Sequence, residues 1–247
     1  MKTTMKTHHA LCGLLSGLLL LAAGTAQTHA TPIVVGNFSF ESLALADGDF
    51  TSARLGDFQI NAILIPFYSV SLNVGFALSD AGVFNPTAAH GYPGTTGSPG
   101  TLPGTGDGAQ FAFINSGAAI YQDVGLLQPS TVYTLTIASG NRTTNDGSSS
   151  GSISLVNGTS DTGTVLSSLA ITPPTGTFAD FTTTFTTGAS VVGDLTIVLN
   201  STSSATAQIN FDNVRLDATP APEPTSAALL LGSGAMLMLR RRRAAAL

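Results

Sequence analysis

The sequence predicts an all-β chain, a two-sheet β-sandwich or jelly roll, carried between an N-terminal signal peptide and a C-terminal single transmembrane helix. Three observations predict it. Apolar residues recur with period two between about Ile33 and Leu216, as in strands of a half-buried sheet. Turn clusters such as "NRTTNDGSSSGS", "NGTSDTG" and "TPPTG" separate these runs, and no stretch of about 11 residues reads as an amphipathic helix. Each extremity joins an apolar run to basic residues, which the body nearly lacks.

Residues 1–30 have the layout of a secretory signal peptide. Lys2 and Lys6 precede an apolar core at about Ala10 to Ala23, and small residues follow. Ala30 suits cleavage, with Thr28 two positions before it; Ala26 after Gly24 competes. Cys12, the single cysteine, falls in that core, so the exported body has neither a disulfide framework nor thiol chemistry.

Residues 31–218 form the predicted β-sandwich domain. "YTLTI" sets Tyr133, Leu135 and Ile137 against Thr134 and Thr136; "FTTTFTT" sets Phe181, Thr183 and Phe185 on one face. "LTIVL" does the same with Leu195, Ile197 and Leu199, and "NFSFE" with Phe38 and Phe40. In "INFDNVRL" the parity of Ile209 and Phe211 conflicts with that of Val214 and Leu216, which predicts a bulge near Asp212 and Asn213. From Thr31 to Ala221 there are thirteen acids against Arg54, Arg142 and Arg215. Such a body does not neutralise phosphates, so nucleic acid is excluded as a partner. Asn85 to Gly108 holds seven glycines and four prolines, a long loop that is either functional or idle, with His90 and Tyr92 as its aromatic rings.

Residues 219–224 are a Pro-rich linker, 225–239 the predicted transmembrane helix and 240–247 a basic cytoplasmic tail. Fifteen helical residues span about 22 Å, short of the ~30 Å bilayer core, and the arginines mark the cytoplasmic side. Pro222-Glu223-Pro224, the apolar run and Arg240, Arg241, Arg242 and Arg243 together resemble the PEP-CTERM sorting signal of Gram-negative bacteria. That resemblance implies an exosortase as partner, residence in the inner membrane during sorting, then a place at the cell surface or outside it, and an association with exopolysaccharide and biofilm.

"NFSFE", "DGAQFAFI…AIYQDV", "YTLTIASGNR" and "INFDNVRL", in this order, resemble the galactose-binding-like jelly rolls of carbohydrate-binding modules. The resemblance implies a polysaccharide ligand, with Tyr68, Tyr92 and Tyr121 as stacking platforms, Tyr68 standing where such domains carry a tryptophan. It also implies a structural Ca²⁺ between the first and last strands, held by Glu41 and Asp212, whose oxygens are of the type calcium takes. Asp107 reads as a turn residue or a third ligand, and Arg142 as a strand-side cation paired with a nearby carboxylate. His90 is the body's one histidine from Thr31 onward and sits among glycines and prolines without evident support; the body has no lysine. No catalytic residue is assigned. The expected function is therefore an exported, non-catalytic surface or matrix protein that associates with exopolysaccharide. The alternatives are a structural biofilm protein without a sugar site and a polysaccharide-degrading enzyme.

Overall fold

The computed structural model describes residues 29–51, 53–54, 69–71, 80–98, 100–115, 117–144, 149–202 and 207–221. The predicted signal-peptide core, Tyr68, the Pro-Glu-Pro motif, the predicted membrane helix and the four arginines lie outside them. Among the described residues no helix is long and apolar enough to cross a membrane.

The described chain is all-β. Its strands are β1 (Thr31–Ile33), β2 (Ala53–Arg54), β3 (Ser69–Ser71), β4 (Asp80–Phe84), β5 (Thr96–Gly97), β6 (Gly100–Thr101) and β7 (Phe111–Asn115). They continue with β8 (Ala119–Leu126), β9 (Thr131–Gly140), β10 (Gly151–Asn157), β11 (Thr164–Ile171), β12 (Phe178–Thr186), β13 (Asp194–Ser201) and β14 (Gln208–Pro220). One antiparallel sheet runs β12-β9-β14-β7-β4-β2, with β1 beside the second half of β14; the other runs β11-β10-β13-β8-β3. Both turn an apolar face into one core. Tyr133, Leu135, Ile137, Ile114 and Phe211 of the first sheet pack with Ile120, Ile153, Leu155, Ile197 and Leu199 of the second. Each such side chain contributes on the order of 1.5–3 kcal/mol by leaving water. The buried Tyr133 hydroxyl accepts the Gln128 amide at 2.6 Å.

The period-two runs are strands in register. Thr134 and Thr136 of β9 face out between buried Tyr133, Leu135 and Ile137, opposite Thr184 and Thr182 of β12. The parity break in "INFDNVRL" is a bulge: register shifts between Asp212 and Arg215, and Asn213 takes φ 47°. "NFSFE", expected as a strand, is instead a turn. Asn37 and Phe40 have φ 49° and 58°, and the Asn37 side chain accepts the Ser42 amide at 2.9 Å, a local bond that competes with strand pairing. Phe40 is buried and Phe38 is 43% exposed, so the two rings do not share a face.

The described residues of the Gly/Pro-rich loop lie on the outer face of the first sheet. It contains a 3₁₀ turn (Ala88–His90) and the β5–β6 ribbon. Its Tyr92 and Leu102 join Phe84, Phe111, Phe113, Ala138 and Phe178 in a second, separate apolar cluster. Gly104 is where the loop meets β12: with φ 74°, a Cβ there would stand 2.1 Å from the Phe178 carbonyl oxygen. The alternation of β9 ends at Ala138 for this reason. From there to Gly140 both faces are covered, one by the core and one by the loop.

Candidate active site

The outer face of the first sheet is built by parity. On β7 and β14, Phe111, Phe113, Asn115, Gln208, Asn210 and Asp212 alternate with the inward Ala112, Ile114, Ile209 and Phe211. The loop seals the half around Asp212 and leaves the half around Gln208 open.

The open half is a cleft of about 320 Å³ lined by Phe50, Phe84, His90, Phe113, Asn115, Arg142, Gln208 and Gly48. Phe50 stands edge-on to Phe84 and to Phe113, with both pairs of centroids 6.4 Å apart. Arg142 places its guanidinium carbon 5.4 Å from the centre of the Phe84 ring. Burial lowers its pKa. The expected carboxylate partner is not there: among the described residues the ion pair is Arg215–Asp180, at 2.6 Å. His90 does have support. The Thr87 amide donates to its Nδ1 at 3.0 Å within a capping box, which assigns the ring proton to Nε2. Its ring also stands 5.3 Å from that of Phe84.

Beneath the loop, Tyr92 is fully buried, stacked on Phe178 with centroids 4.9 Å apart, and its hydroxyl accepts the Asn210 Nδ2 donor at 2.7 Å. Its ring is a core element with no face open to a sugar. Burial pushes its phenol well above the usual range; the Asn210 hydrogen bond and the charge of Arg142 pull it down, and the charge of Asp212 pushes it up. Asp212 is likewise fully buried. Its Oδ2 accepts the Asp107 amide at 2.6 Å, and its Oδ1 has no partner. Burial, followed by the charges of Asp107 and Glu41, raises its pKa well above the ordinary value, against the pull of the Asp107 and Asn213 amides. Burial thus favours the protonated form of this carboxyl, an arrangement suited to proton donation.

The structure brings some of the sequence-predicted residues together and separates others. Glu41 is near enough to Asp212 to act on its charge. It also clamps the loop end, its Oε1 accepting the Ala109 and Gln110 amides at 2.6 Å and its Oε2 the Gln110 side chain at 3.1 Å. Among the described residues no three His, Cys, Asp or Glu side chains gather as a metal cluster. Tyr121 is half-buried on the other sheet, against Ala119, Val156 and Val198, and shares no surface with Tyr92. Sequence reasoning passed over Phe50, Phe84, Phe113 and Gln208. The one signal for them was the outward parity of "FAFIN", where Phe111 and Phe113 oppose Ala112 and Ile114.

No curated protein matches the chain. Among solved structures, a Stig cyclase, Fisc, from Fischerella sp. TAU, crystallised with (3Z)-3-(1-methyl-2-pyrrolidinylidene)-3H-indole, aligns at TM-score 0.58 and 22% identity over 78% of this chain and 100% of that one. A Fischerella sp. TAU cyclase in complex with 4-(1H-indol-3-yl)butan-2-one aligns at TM-score 0.57 and 22% identity, with the same coverage. An apo cyclase from Fischerella sp. gives TM-score 0.55 and 23% identity over 78% of this chain and 98% of that one. These likenesses establish the shared fold. The family model described as HpiC1-like, HpiC1 cyclase, matches residues 31–217, about three quarters of the chain. That match overturns the expectation of a non-catalytic matrix protein defined by exopolysaccharide binding, and with it the expectation that the body is not an enzyme. The chain belongs to the HpiC1-like cyclase family.

Proposed function

We propose that this protein is a cyclase-type enzyme that closes a ring in a small, apolar, ring-bearing substrate held in the cleft beside the loop. The match to the family model over residues 31–217 carries this reading. The cleft supports it in kind: Phe50, Phe84 and Phe113 offer ring surfaces that favour positive charge developing on a bound hydrocarbon, and its volume suits a bicyclic molecule. A ring closure by isomerisation forms one carbon–carbon bond, consumes a π bond, and returns a proton elsewhere for each one accepted. His90, in the cleft wall, is the group placed to exchange it. The jelly-roll description of the sandwich belongs to this same reading.

The unpartnered Oδ1 of Asp212 has a second possible occupant. Calcium, the ion expected from the sequence, would be held there by Asp212 and Glu41 with backbone carbonyls and water, and would relieve the repulsion among Asp212, Glu41 and Asp107. It would supply structural bracing of the loop end. Melting at pH 7 with calcium and with chelator decides: a higher Tm with calcium assigns the oxygen to the ion, and an unchanged Tm assigns it to the proton.

Export is part of the proposal. The basic-then-apolar start and the Pro222-Glu223-Pro224 tail support passage through the membrane, with an exosortase as the sorting partner. Intact mass of the native protein reports both termini and tests this. Catalysis is tested by incubating the full chain with a panel of alkenyl-substituted indoles and separating products by chromatography and mass spectrometry. Consumption of a substrate into an isomer of equal mass supports the reading; no turnover across the panel contradicts it.

A further inference from the structure

We propose that the Arg142 end of the cleft receives an anionic group, so that the ligand is an apolar, ring-bearing acid rather than a neutral molecule. The inference rests on the reading of the cleft as the substrate site and adds the chemistry of one end of it. Arg142 lies in the cleft wall and forms no ion pair among the described residues. Its Nε is buried without a hydrogen-bond partner among the described residues. A half-buried cation without a counter-charge carries a desolvation cost, and the Phe84 ring beneath it offsets that cost in part. A planar guanidinium matches a carboxylate or phosphate by two parallel hydrogen bonds, which makes an anion its natural complement.

The wall around Arg142 fits such a ligand. Gly91, with φ 95°, has room for no Cβ, which would stand 2.6 Å from the Cβ of Arg142, and the Gly91 carbonyl accepts the Thr143 amide at 2.9 Å. The loop is thereby seated directly against the arginine. His90 keeps its Nε2 proton as a second donor because Thr87 occupies Nδ1. Gln208 also lines the cleft and gives its Nε2 to Asn115 at 3.3 Å. Arg142 and His90 bind the acid, and Phe50 and Phe113 the ring.

The test uses two nearly isosteric indoles, the neutral 4-(1H-indol-3-yl)butan-2-one and the anionic 3-(1H-indol-3-yl)propanoate, titrated into the full chain. The chain has no tryptophan, so indole emission reports the ligand directly. The propanoate is expected to bind about tenfold more tightly than the ketone, roughly 1.4 kcal/mol. Arg142→Gln is expected to lower propanoate affinity about tenfold more than ketone affinity, so that the preference is lost, and Arg142→Lys to restore part of it. Where Arg142→Gln melts well below wild type, the Lys variant, which keeps the charge and loses the fork, carries the comparison. Ketone binding equal to that of the acid, or an acid preference that survives both substitutions, overturns the inference and leaves the cleft reading intact. Binding of neither indole overturns the cleft reading, and the inference with it.

Discussion

The outer face of the first sheet has two halves, made by the same strands and unlike in every other respect. In the half around Thr134, Thr136, Thr182 and Thr184 the threonines face out, and Arg215 pairs with Asp180 near the surface. In the half around Phe111, Asn210 and Asp212 the loop lies on the sheet, both faces are buried, and polar oxygens go without partners. β9 and β14 pass through both. Strand geometry therefore does not distinguish them; a loop of glycines and prolines covering one half does. The uncovered half exposes its threonines, while the covered half holds a buried acid, a buried phenol and, at its margin, an arginine with no ion-pair partner among the described residues.

The comparison can be broken by substitution, beginning where the effect is largest. Phe111→Ala, at the centre of the loop-covered cluster, is expected to cost about 3–5 kcal/mol in urea unfolding. Gly104→Val is expected to lift the loop, because both its φ of 74° and the Phe178 carbonyl exclude a side chain; the loss is roughly 2–4 kcal/mol, with a weakened near-ultraviolet signal from Tyr92. Tyr92→Phe strands the Asn210 amide and is expected to cost about 1–3 kcal/mol. On the uncovered half, Thr136→Ala removes an exposed hydroxyl contact with Thr182 and is expected to stay within about 0.5 kcal/mol. A cost for Thr136→Ala equal to that of Tyr92→Phe would erase the distinction.

Asp212 sharpens the same comparison through pH. Its folded pKa is raised, so above the ordinary Asp value, about 3.9, the unfolded chain releases a proton that the folded chain keeps. Stability of the chelated protein is expected to fall as pH rises through that window, until the folded Asp212 also ionises. Asp212→Asn is expected to flatten this fall, and Asp180→Asn on the uncovered half to leave it in place. Thermal melts at a series of pH values read both.

The period of two made the core strands legible, since one face of each meets the other sheet along its whole length. The bulge at Asn213 was legible too, because Phe211 and Val214 cannot share a face otherwise. The turn at Asn37 was not: a four-letter alternation carries no sign that the Asn37 side chain will hold the Ser42 amide. The site was legible in pieces. Asp212 and Glu41 were singled out by the resemblance and, for Asp212, by the parity break beside it, but the cover over Asp212 comes from Gly106 and Asp107, more than a hundred positions earlier, and no local pattern encodes that approach. Tyr92 read as an exposed platform because loops usually lie in solvent; here the loop is itself a layer of the fold.

The account stands on the loop-covered half, with its bordering cleft, as the working face. Amide shift mapping of the full chain with 4-(1H-indol-3-yl)butan-2-one tests it most directly. The predicted result is a set of shifts at Phe50, Phe84, His90, Phe113 and Arg142, with Thr134, Thr136, Thr182 and Thr184 unmoved. Shifts centred on those threonines or on Tyr121 of the second sheet, with the cleft silent, would contradict it.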